Sequence, residues 1–233
     1  MQALDNSRCI DIHCHQNAER DHLQILSLDT HQLAAHGQSG DLVSPSVGYF
    51  SIGIHPWFIE RQNIAEALQT LTTVLSQSNA LAIGECGLDK CITTPLAQQV
   101  QVFVPQVELA EALGKPLIIH CVKAFNELLQ IKKARKTSVP WIIHGFNANP
   151  VVAAQLIKQG CYLSFGKALL NERSQAQKAL MQTPLERVFL ETDAAEDMPI
   201  GEVYAAAAKI TALPILALQQ QIFKNFERVF PHD

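Results

Sequence analysis

Short apolar runs rich in Ile, Val, Leu and Phe alternate along the chain with stretches whose apolar positions recur at helical spacing, the pattern of β/α units around a parallel sheet. Strands are predicted at CIDIHCH (9–15), LQILSLD (23–29), GYFSIGIH (48–55), ALAIGECG (80–87), KPLIIHC (115–121), VPWIIHG (139–145), CYLSFG (161–166) and RVFLETD (187–193). Helices are predicted at 60–78, 95–114, 123–136, 150–159, 171–182, 200–211 and 214–229, with Gly114 and Gly160 where helix C-caps fall. Eight strands separated in this way point to a (β/α)8 barrel formed by residues 1–233 as one domain, since such barrels occupy about 200 to 250 residues as a unit. The pattern breaks once. Only seven residues separate His15 from Leu23, whereas a parallel crossover needs a dozen or more. The barrel is therefore expected to be distorted, with either an antiparallel second strand or an abbreviated first βα unit. Residues 31–47, with Gly37, Gly40 and Pro45, read as a surface loop.

A chain that is 48% hydrophobic and 17% charged has the material for a large core, which argues against disorder. It contains no apolar run of membrane-spanning length, and residues 1–30 lack the basic, apolar, small-residue order of a secretory leader. A cytoplasmic protein with no membrane role and no obligate protein partner is expected. The six cysteines, Cys9, Cys14, Cys86, Cys91, Cys121 and Cys161, fall mostly inside predicted strands and read as reduced, small hydrophobic residues. The net charge of −4 disfavours passive nucleic-acid binding, although bound divalent cations would reverse the local field.

Against this apolar background the polar exceptions recur at strand C-terminal ends: His13 and His15, Glu85, His120, His144 and Asp193. In DIHCH (11–15), the alternation of side chains puts Asp11, His13 and His15 on one strand face, with the two imidazoles roughly 6 to 7 Å apart at their Cα atoms. Such a pair can bind one metal ion or simply reach water at the strand end. Six residues sharing the same end of five strands favour the metal reading, because that end is where (β/α)8 barrels build their sites. Four histidines and two carboxylates suit two divalent ions, with zinc, manganese and magnesium all compatible.

The motifs DIHCH, GIHPW (53–57), GECGLD (84–89), LIIHC (117–121), IIHGF (142–146) and ETDA (191–194), in that order, resemble those of the TatD-related metal-dependent hydrolases of the amidohydrolase superfamily. NFERVF (225–230) is similar to that family's closing helix. The resemblance implies a distorted TIM barrel and a two-metal phosphodiesterase, a 3′-to-5′ deoxyribonuclease acting on DNA or a nucleotide-containing substrate. It further implies that His13, His15 and Asp193 hold one metal, that Glu85 bridges, and that His120 and His144 hold the second. A hydroxide between the cations would be the nucleophile, with Asp193 also accepting its proton. The chain departs from the family pattern after His15, at Cys121 and Val122, and at Asn147 and Ala148, positions that face substrate in the family. A small-molecule amidohydrolase cleaving an amide, ester or lactone with the same metal pair is therefore the alternative, and a metal-binding scaffold without turnover is a third reading.

Further positions can be read from their chemistry. His55 could donate to a phosphate oxygen, while Trp57 or Phe58 offers a stacking face for a base; a plain His-Pro turn with rim packing is the competing reading. Lys123 could meet an anion or be a solvated helix start. Asp11 and Asp89 are candidates for orienting imidazoles from behind. Asp193 could instead cap a helix. KKARK (132–136) reads as a solvated helix end at the N-terminal side of the strands, favoured there by the helix dipole. His22, His31, His36 and His232 receive no role.

Overall fold

The computed structural model describes residues 8–16, 22–35, 48–195 and 198–230. Eight strands lie in chain order in one sheet: β1 (Ile10–Cys14), β2 (Leu23–Asp29), β3 (Phe50–Gly53), β4 (Ala80–Asp89), β5 (Leu117–Val122), β6 (Trp141–Ile143), β7 (Tyr162–Phe165) and β8 (Val188–Leu190). Between and after them run α1 (Thr30–Ala35), α2 (Ile64–Val74), α3 (Leu96–Leu113), α4 (Phe125–Arg135), α5 (Pro150–Lys158), α6 (Gln175–Leu180), α7 (Ile200–Thr211) and α8 (Ile215–Val229). This is the expected (β/α)8 fold class. β2 through β5 each pair in parallel with the following strand, as β7 does with β8. The second strand is thus parallel to the third. Most of the short connection after β1, residues 17–21, lies outside the described residues.

The apolar runs become strands because both of their faces are buried, which removes the in-out alternation of a half-exposed sheet. Every residue of β3, β4, β6, β7 and β8 is buried. Three boundaries differ from expectation, each for a local reason. The predicted loop 31–47 opens with α1, where the Asp29 carboxylate accepts the His31 N–H at 2.7 Å; residues 36–47 lie outside the described ones. The predicted helix 60–78 is split into a 3-10 turn, Pro56–Arg61, and α2, because the Asn63 side chain accepts the N–H groups of Ala65 and Glu66 and restarts the helix. β4 runs on to Asp89, two residues beyond the predicted end, so Glu85 lies inside the strand at a register shift between Ile83 and Cys86.

Contacts within the chain divide it into two compact units, Met1–Ile25 with His144–Val229, and Leu26–Ile143 with Phe230–Asp233. In the first, the Tyr204 hydroxyl of α7 accepts the Ile10 N–H (2.9 Å) and donates to the Ile10 carbonyl (3.1 Å), which fixes β1 three residues before His13. Asn225 of α8 donates to the carbonyls of Leu185 and Val188 and so anchors the start of β8. In the second unit, Phe103 of α3 meets Trp141 edge-on at 5.7 Å. Lys132 Nζ lies over the Trp141 ring, 4.7 Å from its centre, and Arg135 pairs with Glu108 at 2.5 Å. Since Trp141 opens β6, the basic run ends at the N-terminal end of that strand. It is less solvated than expected, because two of its cations have partners within the unit. Among the described residues, no single helix is long and apolar enough to cross a membrane.

Candidate active site

In the unit formed by residues 26–143, three strands bring a histidine and carboxylate cluster together. Glu85 on β4 is buried, and its Oε1 lies 3.0 Å from His55 Nε2 and 2.9 Å from His120 Nδ1. His55 follows β3 and caps the 3-10 turn, its Nδ1 accepting the Trp57 N–H at 3.1 Å. That fixes the neutral tautomer with the proton on Nε2, aimed at Glu85. His120 has a second carboxylate at its other nitrogen, with Asp89 Oδ2 2.9 Å from Nε2. A neutral imidazole has one N–H, so it can satisfy only one of these two oxygens; the other contact calls for a second proton or a cation. The donor atoms of His55, Glu85 and His120 all lie within 4.8 Å of one another. Imidazole nitrogens beside a carboxylate at this spacing fit a divalent ion.

Asp89, expected to orient an imidazole, has His120 Nε2 at 2.9 Å from its Oδ2. Its Oδ2 also accepts the Trp57 indole N–H at 2.9 Å, and its Oδ1 accepts the Cys91 N–H at 2.7 Å. Burial pushes its carboxyl up, but the hydrogen bonds from Trp57, His120 and Cys91 outweigh it and the group lies below its ordinary value. Gly87 makes the close approach of β4 and β5 possible: with φ +142, its position would bring any Cβ onto the His120 carbonyl. His55, read as a phosphate donor, is instead 6% exposed and turned to Glu85. Trp57 stands 54% exposed, and Lys123, just past β5, is exposed with φ +56.

In the other unit, β1 and β8 supply a second cluster. Asp193 Oδ1 lies 3.6 Å from His13 Nε2 and 3.4 Å from His15 Nε2, and the His13 ring is 4.3 Å from that of His144. The backbones interlock at this point, the Asp193 N–H donating to the His13 carbonyl (2.9 Å) and the His15 N–H to the Asp193 carbonyl (3.3 Å). Asp193 sits at φ +54 and caps no helix. Burial raises its carboxyl, but hydrogen bonds from His13 and His15 and the nearby imidazoles hold it well below the usual carboxylate range. Asp11, also expected to orient an imidazole, reaches the cluster through backbone and hydroxyl groups. Its oxygens accept the Thr192 N–H (3.0 Å), the Thr192 hydroxyl (2.6 Å) and the His13 N–H (3.4 Å), so it steers the backbone between ligand candidates. Burial pushes Asp11 up to about 6, with the Thr192 hydrogen bonds offsetting part of the rise.

Glu191, within the ETDA motif, carries no expectation from its sequence position. It is wholly buried, accepts the Gly145 N–H at 2.5 Å and lies 3.5 Å from His144 Nδ1. His144, expected beside His120, groups within its own unit with Glu191 and Asp193, while His13, His15 and Asp193 form an overlapping group, each with donors within 4.8 Å. The only signal for Glu191 was its two-residue spacing from Asp193, which puts both on one side of the strand end.

Parallel β/α units whose strand ends carry clustered histidines and carboxylates define a protein built to hold divalent ions on a (β/α)8 scaffold. The chain belongs to the TatD related DNase family, whose family model matches residues 10–231. It is similar to the human 3′-5′ RNA nuclease TATDN2, with 37% identity over 166 residues that cover 68% of this chain and 22% of that protein. It is also similar to the 3′-5′ ssDNA/RNA exonuclease TatD of Cronobacter turicensis, 32% identical over 152 residues that cover 63% of this chain and 57% of that one. The chain thus spans less than two thirds of either relative. The crystal structure of YJJV, a TatD homolog from Escherichia coli, superposes with a TM-score of 0.81 at 20% identity, covering 97% of this chain and 99% of that one, and shows the same fold.

Proposed function

We propose that the chain is a divalent-metal-dependent phosphodiesterase that removes nucleotides from the 3′ end of single-stranded nucleic acid, DNA being the expected substrate. The observation that carries this reading is His120 held between two carboxylates, Glu85 and Asp89, beside His55. The family membership and the nuclease names of its relatives support the choice of a phosphodiester. His13, His15, His144 and Asp193 would hold an ion in one unit, and Glu85 and His120, with His55, in the other. Zinc, manganese and magnesium all suit such ligands. Divalent ions there would supply Lewis-acid polarisation of a phosphoryl oxygen and a water of lowered pKa.

The chain's own groups do the rest. Asp193 would offer a ligand oxygen and an acceptor for the proton of the attacking water. Asp89 fixes the His120 ring from one side and Trp57 from the other. Lys123 at the end of β5 and the exposed Trp57 ring serve the substrate, the first through charge and the second through stacking.

The test sets a labelled single strand against a panel of esters, amides and lactones, with the protein chelated and then reloaded with zinc, manganese or magnesium. Metal-dependent release of mononucleotides from the 3′ end is expected. Turnover confined to the small-molecule panel would establish the amidohydrolase reading, and no turnover with full metal loading would leave a binding scaffold. Replacing Lys132, Lys133, Arg135 and Lys136 together with Gln is expected to leave that release within a few-fold. It should cost about 1 kcal/mol of stability through the lost Glu108 pair and Trp141 contact, read as a small drop in melting temperature. Abolished cleavage with metal content intact would place the basic run at the substrate after all.

A further inference from the structure

Beside the Glu85 cluster, the unit formed by residues 26–143 carries a line of rings whose outer members, Phe58 and His31, the catalytic reading does not use. From His120 the rings step to His55 at 4.6 Å, to Phe58 at 5.7 Å and to His31 at 5.3 Å, and the last pair is nearly parallel at 12°. Trp57 branches from His55 at 5.1 Å, and the Arg61 guanidinium lies 5.5 Å from the Phe58 ring centre. The inner members, His55 and His120, are tied to carboxylates. The outer ones face solvent to differing degrees, Trp57 and Arg61 exposed, Phe58 and His31 half-buried.

The outer rings are also held rigidly, which exposed packing alone does not require. Asp29, buried, uses one oxygen for the His31 N–H (2.7 Å) and the other for the His55 N–H (3.0 Å), so one carboxylate sets both backbone segments. Gln62 adds a second tie, accepting from the Thr30 hydroxyl (2.7 Å) and donating to the Phe58 carbonyl (3.3 Å). The indole of Trp57 is pinned by Asp89. Preorganised rings beside one guanidinium, on a chain of net charge −4, match an anionic polymer of flat bases better than they match an apolar partner.

We infer that Trp57, Phe58, His31 and Arg61 form a subsite for single-stranded nucleic acid, binding the nucleotides next to the one being released. Bases stack on Trp57 and on the His31–Phe58 pair, and Arg61 takes a phosphate. The inference rests on the phosphodiesterase reading for its place in the reaction. It extends that reading by making chain length matter: a dinucleotide reaches the Glu85 cluster without filling the subsite, whereas a longer strand fills both.

The experiment compares the parent with His31→Ala, Arg61→Ala and Arg61→Lys, using oligothymidylate, thymidylyl dinucleotide and bis(p-nitrophenyl) phosphate. For oligothymidylate, His31→Ala and Arg61→Ala are each expected to raise KM about tenfold with kcat retained, the range of one lost stacking or phosphate contact. The two short substrates should stay within about twofold, and Arg61→Lys should recover part of the loss, since it keeps the charge without the planar face. Anisotropy of labelled oligothymidylate on the chelated protein gives a reading independent of turnover. There, Arg61→Ala should weaken binding and flatten its salt dependence by about one counterion. Unchanged binding and KM in both alanine variants would overturn the subsite and leave the rings as rim packing. Normal anisotropy shifts with no hydrolysis of any diester would sustain the subsite and sink the phosphodiesterase reading instead.

Discussion

Asp193→Asn is expected to cost about one bound ion and to slow nucleotide release by about a hundredfold or more. Asp193 is shared by two groups of potential ligands, one with His13 and His15 and one with His144 and Glu191. The amide keeps the shape and one acceptor oxygen but removes the charge. At an effective dielectric of about 20, a unit charge contact at roughly 4 Å is worth about 4 kcal/mol before desolvation, and a third of that already makes a tenfold change. Asp11 cannot take its place, because both of its oxygens are committed to Thr192. Elemental analysis of the reloaded variant, with single-turnover rates on a labelled strand, checks the expectation. A variant that keeps both full metal content and parental rates would remove Asp193 from the site.

Glu85→Gln should be nearly as damaging, and worse than His120→Ala or His144→Ala. Its Oε1 serves two imidazoles at once, His55 and His120. Gln presents either a carbonyl, which accepts without charge, or an amide group that meets the His55 N–H as donor against donor. The expected outcome is an ion lost or weakly held in that unit and a rate reduced by about a hundredfold. His120→Ala, by contrast, leaves Glu85 charged and Asp89 still bonded to Trp57, so some affinity survives. Metal titrations on the three variants decide the order. Two tightly held ions and near-normal turnover in Glu85→Gln would show that its carboxylate binds no metal.

The strands and the ligand candidates could be read from the sequence for one shared reason. Runs buried on both faces tolerate few polar residues, so His13, His120 and Glu85 stand out against Ile, Leu and Val on either side. What stayed hidden depends on bonds that cross between elements. Asp89 is singled out as an orienting carboxylate but lies past the expected strand end at residue 87; Gln99 of α3 continues the ladder by accepting the Asp89 N–H and donating to its carbonyl. His55 reads as a phosphate donor or as part of a His-Pro turn, and no sequence spacing announces Glu85 opposite it. Glu191 needed the Gly145 backbone to show why a carboxylate could be wholly buried. The stacking of His31 on Phe58 depends on α1, a six-residue helix whose sequence, THQLAA, has no periodicity to announce it.

The interlock of His13 with Asp193 also bears on when the protein becomes competent. The two residues meet through main-chain hydrogen bonds, and Asp11 ties the same strands across 181 positions of sequence. Contacts of such separation are among the slowest to form, because the loop-closure entropy precedes their reward. During synthesis the imidazoles of β1 emerge long before the carboxylate of β8, and cannot by themselves complete a three-ligand cluster. High-affinity metal uptake in this unit is thereby made conditional on the chain having brought its first and last strands together. An ion bound there is a sign of maturity, and a nascent or truncated chain ending before β8 would compete poorly for metal in the cell.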